Sequence, residues 1–217
     1  MANSRIAAWV AETDPEVVGL SDIPDASLRR LATGNLLRKF RLHELTDVQL
    51  WREGLELKGF QYAGADRDLR EVLRERGADC EDVLEGAIKM VDAWELDALS
   101  EPLADLVLDL TAPLGARQSA GHALSRFGTS GARARLKPLI AGSHEDPNEN
   151  LKGIALRCNY PEHLSASELL DALTPVRRRS YGGDYSSFLY HLDSEQFDAT
   201  GCRVAGLTWA RNIIRGD

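Results

Sequence analysis

The chain has 217 residues, of which 43% are hydrophobic and 28% are charged, and its formal net charge at pH 7 is −8. This composition is typical of a folded globular protein and excludes a disordered one. The negative charge also argues against a protein that mainly coats nucleic acid, because phosphate binding needs a basic surface. No window approaches about 18 consecutive apolar residues and no signal-peptide pattern opens the chain, so we expect a cytoplasmic protein without a membrane partner.

The first part of the chain, residues 1–78, predicts helices in a less regular arrangement. A helix should begin after Asp25, and Thr46 and Gln49 have the spacing of a capping box ahead of another. Gly77 should end a further helix. The apolar positions of the first and last of these helices are Leu28, Leu31, Ala32 and Leu36, and Leu69, Val72 and Leu73.

Residues 79–217 repeat one pattern, in which apolar residues stand at i, i+3, i+4 and i+7 on a helix. Its copies are Leu84, Ala87, Ile88 and Val91; Ala120, Ala123, Leu124 and Phe127; and Leu151, Ile154, Ala155 and Cys158. Second helices with their own apolar faces are predicted over residues 99–110 and 132–140. Four buried apolar side chains contribute about 6–12 kcal/mol, and ordering ten residues costs about 10–20 kcal/mol. The pattern therefore predicts helix pairs that fold by stacking on neighbouring pairs.

The third pair occupies residues 146–175. Pro161 should end its first helix, Ser165 and Glu168 have capping-box spacing at the start of its second, and Pro175 should stop that helix. The segment TPVRRRSYGGDYSS, residues 174–187, predicts a loop. Helices should follow around Phe188 and over residues 201–214. No useful stretch of period-2 alternation occurs, so no sheet is expected.

Two stretches resemble known families. ARQSAGHALSRFGTSGARARLKPLI resembles the short bacterial HEAT-like repeat, and ENLKGIALRCNYPEHLSASELLDALTP with GGDYSSFL resembles the carboxy-terminal helical region of bacterial NACHT-type STAND NTPases. The matching positions are Gly153, Ala155, Leu156, Tyr160, Pro161, His163, Leu164, Ser165, Glu168, Leu169, Leu173, Thr174, Pro175, Gly183, Tyr185, Phe188 and Leu189. The departures are Asn150 before Leu151, Lys152 where Arg is usual, and Tyr160 where Trp is commoner.

The resemblance covers roughly residues 110–192 well, and IAAWVAETDPEVV is similar to the helix that opens this region in the family. Together with the repeat, it implies an all-α, right-handed α-solenoid of HEAT-like helix pairs. A single solenoid should span residues 1–217, with less regular helices over residues 1–78 and HEAT-like repeats over residues 79–217.

The family resemblance also implies a function. In that family an effector and a NACHT ATPase precede the helical array, and the array senses a trigger, in many cases from an invading phage. We therefore expect a non-catalytic region of a bacterial antiphage-defence protein that binds a protein trigger or the parent's own NTPase domain. These 217 residues contain no G-x-x-x-x-G-K-[ST] motif, so the chain alone should not hydrolyse ATP, and no cofactor is expected.

Charge is segregated along the repeats. Residues 81–109 contain nine acids and one base, whereas residues 111–144 contain five bases and no acid. These blocks are either docking surfaces or helix faces that pair with one another, and the second interpretation is the default for surface charge. The candidate partner-binding residues are Arg126, Arg133, Lys137, Arg177, Arg178, Arg179 and Tyr181.

The predicted loop segment could also bind nucleic acid. The positive charges of Arg177, Arg178 and Arg179 would contact phosphates, and the rings of Tyr181 and Tyr185 would stack on bases. The alternative is that Tyr185 packs on Phe188 or a neighbouring helix while the arginines stay in water. Two other functions remain open: a free-standing HEAT-repeat adaptor that scaffolds a cytoplasmic complex, and a HEAT-type nucleic-acid enzyme similar in architecture to the alkylpurine DNA glycosylases.

Catalytic and metal patterns are weak. Ser125 and Ser165 stand in predicted helix or cap positions without a His and acid partner for nucleophilic catalysis, so neither predicts a nucleophile, and no catalytic residue or metal site is predicted. The three cysteines, Cys80, Cys158 and Cys202, form no C-x-x-C pair. Their number and spacing favour buried, reduced thiols.

Overall fold

The computed structural model describes residues 2–19, 25–45, 57–143, 145–175, 183–192 and Gly206. Within these ranges every regular element is helical and no strand occurs, which confirms the prediction of an all-α chain for this part. The predicted capping box of Thr46 and Gln49 lies outside the described residues. So does the predicted helix over residues 201–214, apart from Gly206.

The chain divides into two compact units, residues 1–123 and 124–217. The first contains helices α1 (Ala2–Thr13), α2 (Glu16–Gly19), α3 (Ala26–Arg41), α4 (Ala65–Val72), α5 (Glu81–Ala93) and α6 (Ser100–Leu108), with 3₁₀ turns at Leu57–Phe60, Ala78–Cys80 and Asp97–Leu99. Helix α7 (Leu114–Phe127) contains the division. The second contains α8 (Ser130–Ala134), a 3₁₀ turn at Lys137–Ala141, α9 (Asn150–Asn159), α10 (Ala166–Ala172) and α11 (Asp184–His191). The predicted boundary at residue 78 separates irregular from repeated helices and stays a prediction.

Helix starts follow local sequence. The Asp25 side chain accepts hydrogen bonds from the backbone N–H groups of Ser27 and Leu28, so α3 begins where predicted. Ser165 and Glu168 form a complete capping box at the start of α10, which confirms that prediction. In both cases a short polar side chain satisfies N–H groups that the first helical turn leaves without partners.

The core of the first unit is centred on α3 and α5. Phe40 on α3 packs on Gly86 of α5 so closely that an added Cβ there would lie 2.6 Å from the phenyl ring. Glycine at this position lets the two helices approach each other. The predicted apolar stripe of α5 is wholly buried and consists of Leu84, Ala87, Ile88 and Val91.

The core of the second unit is built on α9. Its predicted stripe of Leu151, Ile154, Ala155 and Cys158 is buried, and the helix ends before Pro161 as predicted. Lys152, Gly153, Leu156 and Asn159 on its other faces are buried as well. A helix that is buried nearly all round lies inside its unit. Helix α9 packs against α8, the 3₁₀ turn that follows α8, and α11.

Three predicted boundaries were wrong. Helix α4 ends at Val72, five residues before the predicted Gly77. Residues 132–140 form the short helix α8 and a separate 3₁₀ turn, because Pro138 has no N–H to donate and its ring clashes with the preceding helical turn. The predicted loop over residues 174–187 ends early, since α11 already begins at Asp184. The burial of Tyr185 stabilises the first turn of α11. The prediction missed this tertiary contact because the Gly182–Gly183 pair is typical of a loop.

Candidate functional site

The predicted partner-binding residues that the structure describes lie in the second unit. Arg126 is exposed in the last turn of α7, Arg133 is half-buried in α8, and Lys137 is exposed at the start of the following 3₁₀ turn. The other four candidates, Arg177, Arg178, Arg179 and Tyr181, lie outside the described residues. The structure therefore brings together Arg133 and Lys137, which we name the basic row.

Both members of the basic row pair with acids of the next helix pair. The Arg133 guanidinium lies 2.6 Å from Glu162 Oε2, and Lys137 Nζ lies 2.8 Å from Glu168 Oε1. Lys137 also donates to the His163 carbonyl oxygen at 3.3 Å. A partner that approaches the basic row would therefore meet ion pairs rather than uncompensated positive charge. Binding at these residues stays a prediction.

The acids of these pairs are shifted toward their charged forms. Hydrogen bonds from Lys137 and from the backbone and side chain of Ser165 lower the pKa of Glu168 to about 2. A hydrogen bond from Ser130, with the charge of Arg133, lowers the pKa of Glu162. Both carboxylates therefore stay ionised well below neutral pH.

Ser130 and His163 form a contact that sequence reasoning missed. Ser130 Oγ lies 3.1 Å from His163 Nε2 and donates to Glu162 Oε1 at 2.5 Å. Because the single hydroxyl proton goes to the glutamate, Nε2 must donate to Ser130, whereas a general base would accept that proton. Glu162 Oε1 also lies 3.6 Å from Nε2. Ser130, Glu162 and His163 therefore form one hydrogen-bonded cluster.

The same kind of pairing occurs in the first unit. The hydrogen-bonded pairs are Arg30–Asp68, Arg41–Glu75, His43–Asp82 and Arg76–Asp109. In these four pairs, and in the two of the basic row, the base precedes its acid by 29 to 39 residues. Lys39 and Glu16 pair in the opposite order. A base followed by an acid about one repeat later is the sequence signal that points to Glu162 and Glu168.

The described residues on the two sides of the three predicted arginines are hydrogen-bonded to each other. Before these arginines, Thr174 receives a hydrogen bond from Lys152 Nζ at 2.6 Å; after them, the Tyr185 hydroxyl donates to the Thr174 carbonyl oxygen and accepts from its N–H, each at 2.8 Å. Lys152 Nζ also lies 4.3 Å from the centre of the Tyr185 ring, a cation–π contact. Thr174 and Tyr185, on either side of residues 176–182, are thus joined by one network of part-buried hydrogen bonds. Tyr185 packs on a neighbouring helix, as the alternative interpretation of this segment expected.

The starts of α9 and α11 are tied together. The buried Asp146 carboxylate accepts from the backbone N–H groups of Asn150 and Lys152, and burial raises the pKa of that carboxyl despite these bonds. Asn150 Oδ1 in turn accepts from the Asp184 N–H at 3.1 Å. Polar side chains therefore fix the relative position of the two helices at their first turns.

The described residues contain no group of three or more His, Cys, Asp and Glu side chains placed to hold a metal ion. Cys80 and Cys158 are buried and neither is in a disulfide, and burial raises the pKa of the Cys158 thiol to about 12. Cys202 lies outside the described residues. None of the helices in the described ranges is both long and apolar enough to cross a membrane.

Comparison of the chain with protein-family models, curated protein sequences and solved structures finds no match. The resemblance to the NACHT-type region therefore stays an expectation drawn from the motif residues themselves.

Proposed function

We propose that this chain is a right-handed, HEAT-like α-solenoid that serves as the sensor region of a larger NACHT-type STAND NTPase. Its task is recognition and regulation without catalysis of its own. The observation that carries the proposal is the series of base-to-acid pairs that join residues 29 to 39 positions apart. In a solenoid each repeat contacts its neighbours, so side-chain contacts recur at a separation of about one repeat. The apolar stripes start 36 and 31 residues apart, a similar spacing.

The relation of α9 to α11 supports the same architecture. Asn150, near the start of α9, bonds to Asp184 at the start of α11, while Arg157 and Tyr160 near the end of α9 line one pocket with His191 at the end of α11. The two helices therefore run in the same direction. Helix α10 connects them in sequence, and this is the order that successive helix pairs of a solenoid require.

The residues that carry the family resemblance occupy structural positions. Gly153 lies against the start of α11, Ser165 and Glu168 cap α10, and Tyr185 anchors Thr174. Residues in such positions specify a shape. This supports assignment to a helical array whose surface, rather than a catalytic centre, does the work.

The proposed partner is a protein trigger or the parent's own NTPase domain. An array of stacked helices offers an extended surface, and its exposed charges change how fast and how selectively a partner binds. The basic row and Arg126 supply part of that surface. The arginines at 177–179 and Tyr181 belong to a segment whose flanks are fixed by the Lys152, Thr174 and Tyr185 network.

The first test is the mass of the native gene product in its host. A product several times heavier than the 23.9 kDa of this chain supports a receptor array, whereas a product near that mass favours a free-standing adaptor. In the longer protein, the second test measures trigger-stimulated ATPase with and without the array. A trigger response that survives deletion of the array would refute the proposal.

A charge-reversal series sharpens that test. Arg133→Glu with Lys137→Glu should alter trigger-stimulated ATPase if the basic row contributes to the surface. Glu162→Arg should restore the charge pairing of Arg133→Glu, whereas Glu168 is left unchanged because it also caps α10. A loss of response that persists when Arg133→Glu is combined with Glu162→Arg therefore reports on recognition. Arg67→Glu, at an exposed position of α4, is the control that changes charge away from the basic row.

A further inference from the structure

A pocket of about 450 Å³ opens between α9 and α11 in the second unit. Arg157 and Tyr160 line it from α9 and the residue that follows that helix, and Ser187, Phe188 and His191 line it from α11. Pockets that hold small ligands have volumes of about 300–1,000 Å³ and combine apolar walls with a few well-placed polar groups. This pocket has both properties.

The apolar part of the pocket comes from two aromatic residues. Tyr160 and Phe188 are 8% and 7% exposed, so most of each residue is held in the core and the surface left to the pocket is fixed. The packing of α11 along α9 also restrains the position of Phe188. Aromatic walls of this kind favour a flat apolar ligand body, through offset or edge-on ring contacts.

The polar part comes from three side chains with unused hydrogen-bonding capacity. Arg157 lies 3.7 Å from Asp184 Oδ1, which is too long for a hydrogen bond, whereas Arg133 lies 2.6 Å from its own acid. Over the described ranges, the side chains of Arg157, Ser187 and His191 make no hydrogen bond to the protein. The Arg157 side chain is 36% exposed, so its guanidinium remains open to a ligand.

We infer that this pocket binds an aromatic carboxylate. Arginine presents parallel N–H donors that match the two oxygens of a carboxylate, and Ser187 and His191 add donors from the α11 side of the pocket. Asp184 already offsets part of the Arg157 charge, so the site suits a single negative charge better than the double charge of a phosphate. The ligand is either a free small molecule or the carboxy-terminal aromatic residue of a peptide. This inference goes beyond the proposed function and requires no parent protein.

The experiment is calorimetric titration of the full 217-residue chain with 3-phenylpropionate and with its neutral amide. The carboxylate should bind saturably at one site, and the amide about tenfold or more weakly, because a hydrogen bond to a charged group contributes more than one between neutral groups. Acetyl-Gly-Gly-Phe with a free carboxylate is the second arm, and the tighter of the two acids identifies the source. Equal binding of acid and amide, or no saturable binding of either acid, would overturn the inference.

Variants locate the site. Arg157→Gln should weaken binding of the acid about tenfold, and His191→Gln about threefold, while Arg67→Gln on α4 should leave it unchanged. His191 is exposed, so its variant keeps the test valid even if Arg157→Gln fails to fold. Unchanged affinity in both pocket variants would place the ligand elsewhere and refute the assignment. Tighter binding of phenyl phosphate than of 3-phenylpropionate would refute the choice of a singly charged ligand.

Discussion

Gly153 on α9 lies directly against the backbone of Tyr185 at the start of α11. A Cβ built on Gly153 would collide with the Tyr185 nitrogen, and the Asp184 carbonyl oxygen would be only 2.6 Å away. Both residues belong to the stretch that resembles the NACHT-type region, and they stand more than thirty positions apart in the chain. Gly153 thus leaves room for the first turn of α11. This close approach links the motif residues of α9 with those of α11.

Gly153→Ala should destabilise the protein by about 2–3 kcal/mol or more. The obstructing atoms are backbone, so α11 would have to move away from α9, and overpacking of this kind is costly. Urea denaturation followed by circular dichroism measures the change. The control is Gly34→Ala in α3, where an added Cβ meets nothing within 4 Å and should stabilise the helix by about 0.5–1 kcal/mol. Equal effects from the two substitutions would contradict the close approach.

Tyr185→Phe should cost about 1–2 kcal/mol. The substitution keeps the buried ring and its contact with Lys152 but removes the hydroxyl that bonds to both the N–H and the carbonyl oxygen of Thr174. Tyr190→Phe, on the same helix at 85% exposure, should change stability by less than about 0.5 kcal/mol. Thermal unfolding of both variants provides the comparison. A Tyr185→Phe variant as stable as wild type would show that the anchor of Thr174 does not depend on the hydroxyl.

The Lys39–Glu16 pair should couple more strongly than a fully exposed pair. Lys39 Nζ lies 2.6 and 2.8 Å from the two oxygens of Glu16, and the side chains are only 21% and 17% exposed. A double-mutant cycle with Lys39→Met and Glu16→Gln should give a coupling of about 1–2 kcal/mol. The matched pair Arg74–Glu71, at 64% and 68% exposure, should give less than about 0.5 kcal/mol. Indistinguishable couplings would contradict the role assigned to burial.

Folding stability should fall between about pH 4 and pH 2 as Asp109 becomes protonated. Hydrogen bonds from Thr111 and Arg76 lower the pKa of Asp109 to about 2 in the folded chain, against about 4 when unfolded. A carboxyl with a lowered folded-state pKa stabilises the fold above its unfolded pKa, and this contribution disappears as the pH falls through the folded value. Asp109→Asn should therefore lower the urea midpoint at pH 7, and the difference from wild type should shrink toward pH 2. A difference that stays constant from pH 7 to pH 2 would refute this.

Much of the local structure was readable in the sequence because it rests on neighbouring residues. Asp25 and Ser165 act within their own first helical turns, and Pro161 excludes continuation of α9 by its own geometry. The Pro138 break was also readable in principle, since proline lacks an N–H, but the apolar stripe over residues 132–140 outweighed it in the prediction.

The candidate surfaces were less readable. The segregated charge of residues 81–109 and 111–144 suggested that these two blocks pair with each other, yet Arg133 and Lys137 bond to Glu162 and Glu168 further along the chain. The Ser130–His163 contact and the pocket beside Arg157 gave no local signal, since each is assembled from residues about thirty positions apart.

The sequence by itself determined that the chain is helical, where most described helices begin, and which of their faces are apolar. These properties depend on hydrogen bonds and side-chain spacing within a few residues. Only the tertiary structure decided that Lys152 is buried over Tyr185, that the basic row is neutralised by acids of the next pair, and that a polar-edged pocket lies between α9 and α11. Such contacts depend on the separation and orientation of helices, which are set by packing across the whole unit.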